Sequence, residues 1–253
     1  MMIEIYNSKY LEFKQLIKHC IVNFKNEGIF LSDGKRNKIK IFQVENLSLN
    51  IKSFKIPNPL NQFIYKYLRD SKAKRSFNYA SKLIQLNIGT PIPIGYFENH
   101  TFWGLKDSYY VCEQITNIHE FREIVENEQF ENREEIIRLF TQFTAKMHEA
   151  GIEFLDHSPG NTLFKKNQDL SYSFYLVDLN RMKFHKKLNL NTRMKNLSKI
   201  THKKEMVEII ANEYSIISGV NENEIFKILW NHTTNFQNKY HNKKKIKQKF
   251  GFK

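Results

Sequence analysis

Two short segments constrain the fold of this chain more than any other part of its sequence. Residues 153–164, EFLDHSPGNTLF, predict a strand, a tight Pro-Gly loop and a second strand that together form a hairpin. Residues 174–182, FYLVDLNRM, begin as a buried strand that ends in Asp178. Two acids and one amide, Asp156, Asn161 and Asp178, would then converge on this hairpin. Their oxygen atoms suit a divalent metal ion, although the same residues are also common in solvated turns.

Composition narrows the class of protein. The chain has 253 residues, of which 41% are hydrophobic and 14% aromatic, and this predicts a folded protein with one large domain or two lobes. Cys20 and Cys112 form no spacing motif and favour a reducing compartment. The opening residues, MMIEIYNSKYLEF, contain an early acid and no apolar run, and no segment approaches the roughly 18 apolar residues of a spanning helix. We therefore expect a cytosolic or peripheral protein without a signal peptide.

The charge is strongly basic, with 40 Lys and Arg against 26 Asp and Glu, for a net charge of +14. Such a balance predicts a polyanionic partner: a nucleic acid, an anionic membrane surface or a phosphorylated substrate. Compositional drift is the alternative, because Lys, Asn, Ile and Phe are all abundant. The last segment, residues 239–253, argues against drift, since it holds seven lysines and no acid among apolar and aromatic residues.

The order of predicted elements indicates an α+β fold with segregated halves. A helix at 10–24 precedes five predicted strands, at 28–33, 38–44, 49–55, 94–97 and 108–115. One helix, capped by Ser71, is inserted between the third and fourth strands. A later helix ends at Gly151, and the chain beyond Asp178 is mainly helical. The prediction is a small antiparallel-sheet lobe with one helix at about 1–112, a mainly helical lobe at about 113–237, and a basic tail at 238–253.

In this order the residues resemble those of the protein-kinase fold. Asp156 and Asn161 match the catalytic-loop pattern D-x-x-x-x-N, Asp178 matches the acid of the D-F-G element, and Lys52 in NIKSF lies where the third-strand lysine belongs. The resemblance implies ATP and Mg²⁺ as cofactors. Asp156 would accept the proton of the attacking hydroxyl, Asn161 and Asp178 would bind the metal, and Lys52 would orient the phosphates.

The resemblance also implies contacts with the rest of the nucleotide. Residues 110–114, YVCEQ, lie where the backbone of the interlobe hinge would bond adenine, with Glu113 among them. The loop over the phosphates contains Gly34 and Lys35, and it lacks a G-x-G-x-x-G pattern.

The helix after the third strand departs from the kinase pattern. It should carry a Glu to pair with Lys52, yet no acid occurs between Asp70 and Glu98. Asn78 occupies the best-matching position. Its amide can accept a hydrogen bond from Lys52 but cannot neutralise the lysine's charge.

Over about residues 31–182 the chain resembles the lipopolysaccharide kinase family, which phosphorylates Kdo (3-deoxy-manno-octulosonic acid) or heptose of the inner core. The resemblance is carried, in order, by NIKSFK, SKAKRSFNYASKLIQLNIGTPIPIGYFE, MHEAGIEFLDHSPGNTLF and YLVDLNRM. It is closest to Kdo kinases of the Bacteroidetes type. The implied substrate is Kdo-lipid A or a related precursor, met at an anionic membrane surface on the cytoplasmic face of the inner membrane, and no nucleic acid partner is expected.

Two other functions remain open from the sequence. A protein Ser/Thr kinase of the same fold would use the basic surface to recruit acidic proteins, but residues 179–215 contain no A-P-E-type segment. A catalytically silent, kinase-like binding module would explain Asn78, but the full set of Asp156, Asn161 and Asp178 argues against it.

Overall fold

A computed structural model describes residues 2–34, 37–102 and 104–249, with the backbone alone for residues 59, 66, 67, 244, 247 and 249. The chain forms two compact units. Unit 1 comprises Met1–Thr116 and Asp178–Asn180, and unit 2 comprises Asn117–Val177 and Arg181–Lys253. The α+β class with a kinase-like organisation is confirmed, whereas the predicted lobe boundary near residue 112 stays a prediction.

Unit 1 is built on an antiparallel sheet. Its described strands are β1 (Met2–Tyr6), β2 (Ile29–Asp33), β3 (Asn37–Val44), β4 (Leu47–Phe54), β5 (Pro93–His100) and β6 (Leu105–Glu113). They lie in the order β1-β5-β6-β4-β3-β2. The alternation of apolar residues explains the central strand, because Leu49 and Ile51 of β4 are fully buried on one face. Strand β1, which pairs with β5 at the sheet edge, was not predicted from the sequence.

Three helices accompany this sheet within the described residues: α1 (Lys14–Val22), α2 (Pro59–Tyr67) and α3 (Lys72–Gln85). Helix α1 covers the face of Leu49 and Ile51 through Ile17 and Ile21. Helix α3 begins as predicted at Ser71, whose Oγ accepts a hydrogen bond from the Lys74 N–H. The prediction of one inserted helix was incomplete, because both α2 and α3 lie between β4 and β5.

Unit 2 is mainly helical. Its helices are α4 (Phe121–Glu126), α5 (Arg133–Glu149), α6 (Leu190–Leu197), α7 (Lys204–Ser218) and α8 (Glu222–Lys249). Their apolar faces form one core, in which the rings of Phe121 and Phe140 stack at 4.1 Å. Gly151 follows α5 with φ +74°, and a Cβ there would lie 2.0 Å from the His185 carbonyl oxygen, so this chain reversal requires glycine.

The predicted hairpin around Asp156 is wrong in its pairing. Strand β8 (Ile152–Phe154) pairs with β11 (Met182–Phe184), and β9 (Thr162–Lys166) pairs with β10 (Tyr172–Leu176) and β7 (His119–Glu120). The two strands flanking the loop therefore belong to different small sheets. Residues 155–161 form a connection between these sheets rather than a hairpin turn.

The predicted basic tail continues helix α8. The helix runs through residue 238 to Lys249, and the side chains described from residue 239 onward are exposed. Phe250 and Phe252 lie outside the described residues. Among the helices that the structure describes, none combines the length and apolar character needed to cross a membrane.

Candidate active site

Lys52 lies on β4, on the face opposite the buried Ile51. Its Nζ is 5.4 Å from the centre of the Phe54 ring and donates to Asp178 Oδ1 at 2.7 Å. The Lys52 side chain is 12% exposed, so this ion pair is partly shielded from water. The fold thus brings together two residues that are 126 positions apart in the sequence.

Asp178 has an unusual backbone. Its φ is +58°, a left-handed conformation that costs a non-glycine residue of this kind on the order of 1 kcal/mol. Asn180 donates to the same Oδ1 at 2.6 Å that accepts from Lys52. Among the described residues no donor is bonded to Oδ2, so this oxygen atom is available to a cation.

The loop after β8 is held through its backbone. Three successive carbonyl oxygens each accept a hydrogen bond from a side chain of unit 2: Phe154 O from Asn196 Nδ2 at 2.7 Å, Leu155 O from Lys199 Nζ at 2.6 Å, and Asp156 O from Asn161 Nδ2 at 2.9 Å. The Leu155 N–H donates to the Arg181 carbonyl at 3.1 Å. The segment that presents Asp156 is therefore fixed without belonging to a regular element.

A buried polar cluster supports this loop. Asn196 Oδ1 lies 3.1 Å from His148 Nε2 and 3.2 Å from His157 Nδ1, and His148 Nδ1 lies 3.1 Å from the Tyr214 hydroxyl. Because Asn196 Nδ2 donates to Phe154, its Oδ1 accepts from both rings, and this assigns each histidine one protonated nitrogen. Burial lowers the pKa of His148 to about 4 and that of His157 to about 3. Both rings are neutral at pH 7.

Asp156 and Asn161 present their functional oxygens at the surface of this loop. Arg181 Nη1 donates to Asp156 Oδ1 at 3.0 Å, and both side chains are partly exposed. Asn161 uses its Nδ2 to bind the Asp156 carbonyl, which leaves its Oδ1 as a free oxygen ligand among the described residues. A hydrogen bond thus links the two residues of the D-x-x-x-x-N pattern and fixes their relative position.

Backbone hydrogen bonds restrict which atoms of the predicted hinge segment could contact adenine. The Glu113 N–H donates to the Ile92 carbonyl and the Gln114 N–H to the Ser48 carbonyl, both at 2.9 Å. The Glu113 carboxylate accepts from the Tyr10 hydroxyl. Glu113 would therefore contact adenine through its carbonyl oxygen rather than its N–H, and its role stays a prediction.

Two other predicted nucleotide residues lie in the connection between β2 and β3. Gly34 is exposed there, and Lys35 lies outside the described residues. Strand β2, which leads into this connection, is exposed along its whole length. Among the described contacts, none gives Gly34 a partner that defines its role.

Asn78 is exposed on α3 and lines a pocket together with Tyr79, Glu98 and His100. Lys52 is not among the described residues that line this pocket. The buried face of α3 carries Ser76 instead, in phase with Ala73, Ala80 and Leu83. The pairing of Asn78 with Lys52 stays a prediction, and its exposed position gives that prediction no support.

The two predicted metal ligands, Asp178 in unit 1 and Asn161 in unit 2, each carry an oxygen of the kind that Mg²⁺ prefers. The described residues contain no cluster of three His, Cys, Asp or Glu side chains that could hold a metal by themselves. Mg²⁺ is commonly bound by one or two carboxylates together with substrate phosphates and water. The unbonded Oδ2 of Asp178 and the free Oδ1 of Asn161 are ligands of the required type.

The residues that support the loop were not predicted from the sequence. Arg181 was visible within DLNRM, three positions after Asp178, but its pairing with Asp156 was not predicted. Asn196 and Lys199 belong to α6 and the turn after it, about 40 residues from the carbonyls that they bind. No local pattern marks them.

A sheet unit with a Lys–Asp ion pair and a helical unit with a braced D-x-x-x-x-N loop are the components of a phosphotransferase with the protein-kinase fold. The solved structure of WaaP in complex with acyl carrier protein matches 95% of this chain and 98% of that chain, at a TM-score of 0.65 and 12% identity. A MAP kinase, LmaMPK10 from Leishmania major, matches 85% of this chain and 65% of that chain at 16% identity, with a lower TM-score of 0.45. The WaaP match shows the shared fold.

The sequence model of the lipopolysaccharide kinase (Kdo/WaaP) family matches residues 59–217, and the chain belongs to this family. It is therefore a kinase of lipopolysaccharide sugars, and membership implies ATP as the phosphoryl donor. No curated protein matches the chain significantly in sequence. The predicted family and enzyme class are confirmed.

Proposed function

We propose that the chain transfers the γ-phosphoryl group of ATP to a hydroxyl of Kdo in a lipopolysaccharide precursor. The observation that carries this choice is Arg181, whose guanidinium lies 3.0 Å from the carboxylate of Asp156 and is 57% exposed. Kdo bears a carboxylate, whereas heptose is neutral. A guanidinium beside the base suits a substrate carboxylate because it forms two parallel hydrogen bonds with it.

In this proposal each group has one task. Asp156 accepts the proton of the attacking sugar hydroxyl. The oxygen of that hydroxyl forms a bond to the γ-phosphorus while the bond between the γ-phosphorus and the bridging β–γ oxygen breaks, and ADP is released. Arg181 orients the sugar through its carboxylate. Lys52 stabilises the negative charge of the nucleotide phosphates, and Asp178 and Asn161 would hold Mg²⁺, which when bound neutralises charge on the phosphates.

The direct test is a product assay. The protein is incubated with ATP and Mg²⁺ and with either Kdo-lipid A or a heptose-bearing acceptor, and the products are measured by mass spectrometry. We expect a mass increase of one phosphate on the Kdo acceptor. Transfer to heptose alone, or to an acidic protein such as casein alone, would contradict the Kdo assignment.

Arg181→Gln tests the carboxylate contact. It should raise KM for the Kdo acceptor by roughly tenfold to a hundredfold, as expected for the loss of a charge-assisted pair, while KM for ATP changes little. Lys183→Gln is the matched control, because Lys183 is an equally exposed cation two residues away. An equal effect of both substitutions would show that only general surface charge matters.

We also propose that residues 239–253 hold the enzyme on an anionic membrane surface at the cytoplasmic face of the inner membrane. The lysines described in this part of α8 are exposed and no acid accompanies them. Each lysine near such a surface contributes on the order of 1 kcal/mol. Exposed apolar side chains, such as Tyr240 and Ile246, can add interfacial contact.

Removing residues 239–253 tests this surface. The truncated protein should no longer sediment with anionic vesicles, and added salt should release the full-length protein by screening. Activity on a soluble Kdo analogue should persist. Equal vesicle binding by both proteins at low salt would rule out this role of the segment.

A further inference from the structure

Unit 1 contains a pocket of about 700 Å³ at the N-terminal end of α3. It is bounded by the first turns of α3, the residues that follow α2, and strands β1 and β5. Of the residues assigned to nucleotide binding, Asn78 alone lines it within the described part of the chain. The pocket is therefore a separate feature from the Lys52–Asp178 pair.

Arg75 is the unusual residue of this pocket. It is 7% exposed, and among the described residues no acceptor is bonded to its Nε or Nη1. Burial, followed by the positive charge of Arg69, lowers the pKa of Arg75, while Tyr65 and Tyr79 oppose that shift. Arg75 keeps a hydrogen bond with Tyr65, but no described carboxylate neutralises its charge. A buried charge without a counter-ion costs several kcal/mol, so such groups are rare unless a ligand completes them.

The carboxylates of the pocket already have partners. Asp70 pairs with Lys74 at 2.8 Å, and Glu98 lies 3.0 Å from His100. Neither carboxylate is bonded to Arg75 among the described contacts. The pocket thus keeps an unneutralised cation at its wall, with Arg69 as a second, exposed cation.

The N-terminal end of α3 carries basic residues, although cations are unfavourable at the positive end of a helix dipole. The first turn of α3 contains Lys72 and Lys74 and no acid, and Arg75 follows directly. The positive end of the helix dipole disfavours cations and favours anions. Backbone N–H groups and basic side chains therefore act together here to attract negative charge.

We propose that this pocket binds a phosphate monoester, with Arg75 as its buried anchor. Arg75 lines the pocket and carries a positive charge that no described carboxylate neutralises, and a guanidinium is well suited to phosphate oxygens. Arg69 adds charge at the entrance. Leu68 is an apolar side chain at the rim of the pocket and is 74% exposed, so it can contact the acyl region of a lipid. The phosphate group can therefore come from a lipid headgroup or from a soluble ligand.

The first experiment measures the melting temperature of the full-length protein with inorganic phosphate against sodium chloride of equal ionic strength. Saturating phosphate should raise the Tm by about 3 °C, as expected for specific binding to a chain of this size. Arg75→Met should abolish the shift and should leave the phosphate-free Tm equal to or above that of the wild type, since it removes a buried charge that no carboxylate neutralises. A purely structural arginine would instead lower that Tm.

Two further variants keep the test decisive. Arg69→Gln alters an exposed residue, so it should fold normally and weaken phosphate affinity severalfold. Lys106→Gln removes an exposed cation elsewhere in unit 1 and should change nothing. If Arg75→Met and Arg69→Gln both bind phosphate like the wild type, the proposal is overturned.

A second arm identifies the source of the phosphate. Vesicles containing phosphatidic acid are compared with phosphatidylserine vesicles of equal charge. A preference for phosphatidic acid that Arg75→Met loses indicates a lipid headgroup, and a response to free phosphate alone indicates a soluble ligand. The proposal fails if wild type responds in neither arm, or if Lys52→Met rather than Arg75→Met removes the response. These readouts do not depend on kinase activity, so their failure is separate from that of the proposed function.

Discussion

The loop at residues 154–161 and strand β2 differ in how firmly the rest of the chain holds them. Every carbonyl from Phe154 to Asp156 is bound by a side chain, and the flanking residue Ile152 is fully buried. By contrast, β2 is an exposed edge strand, and the pairing between β2 and β3 is irregular between Phe30 and Ser32. The chain therefore restrains the segment that carries the proposed base, whereas it leaves the strand before the Gly34 connection exposed.

The largest effect should come from the base in the restrained loop. Asp156→Asn should lower kcat by roughly 10²–10⁴ because it removes the proton acceptor, while ATP affinity stays nearly unchanged. Steady-state kinetics with the Kdo acceptor and nucleotide titration measure the two quantities. Asp169→Asn, at an exposed turn, is the control. Near-normal turnover of Asp156→Asn would show that the restrained loop does not carry the base.

The next effect concerns the support of that loop. Asn196→Ala removes the hydrogen bonds to Phe154 O, His148 and His157, and it should lower the free energy of unfolding by about 3 kcal/mol, because buried groups are left unpaired. Urea denaturation measures it. Asn235→Ala, on the exposed part of α8, should cost under about 0.5 kcal/mol. Equal losses for the two variants would remove the distinction between restrained and open regions.

The buried histidines predict a pH dependence. Their folded pKa values are lowered, so below pH 6.5 the unfolded chain binds more protons than the folded chain. The contribution of these histidines to the free energy of unfolding is therefore fully present above about pH 6.5. It falls as the pH drops toward 4, by up to about 1.4 kcal/mol per pH unit for each histidine. Urea denaturation between pH 7 and pH 5 measures this slope.

His148→Gln should make the pH slope shallower, whereas His202→Gln, at an exposed position, should leave it unchanged. An unchanged slope in His148→Gln would mean that other groups cause the loss of stability. The loop at residues 154–161 would then differ from β2 in its hydrogen bonds and not in its response to pH.

The smallest effect is expected at β2. Ile29 is 75% exposed, so Ile29→Ala should change the free energy of unfolding by less than about 0.5 kcal/mol. The same substitution at the fully buried Ile152, next to the restrained loop, should cost about 2–5 kcal/mol. Chemical denaturation of both variants measures the two losses in free energy of unfolding. A large cost at Ile29 would show that β2 is covered in solution.

Elements whose signals are local could be predicted from the amino-acid sequence. The strands β3 and β4, the Ser71 cap and the helix that ends before Gly151 follow from alternation, capping and glycine chemistry within a few residues. The order of Lys52, Asp156, Asn161 and Asp178 was equally visible, because the pattern uses fixed spacings. Family and enzyme class followed from that order.

Contacts between distant residues became visible in the folded chain alone. Asn196 and Lys199 bind the loop that presents Asp156, and β8 pairs with β11 rather than with β9. The sequence shows Arg75 only as one of several basic residues in a helix, whereas the fold buries it and leaves its Nε and Nη1 without an acceptor among the described residues. Hydrogen bonds between distant residues depend on how the chain packs, and packing leaves no periodic trace in the sequence. For that reason the chemistry could be predicted from the sequence, whereas the contacts that hold it in place could not.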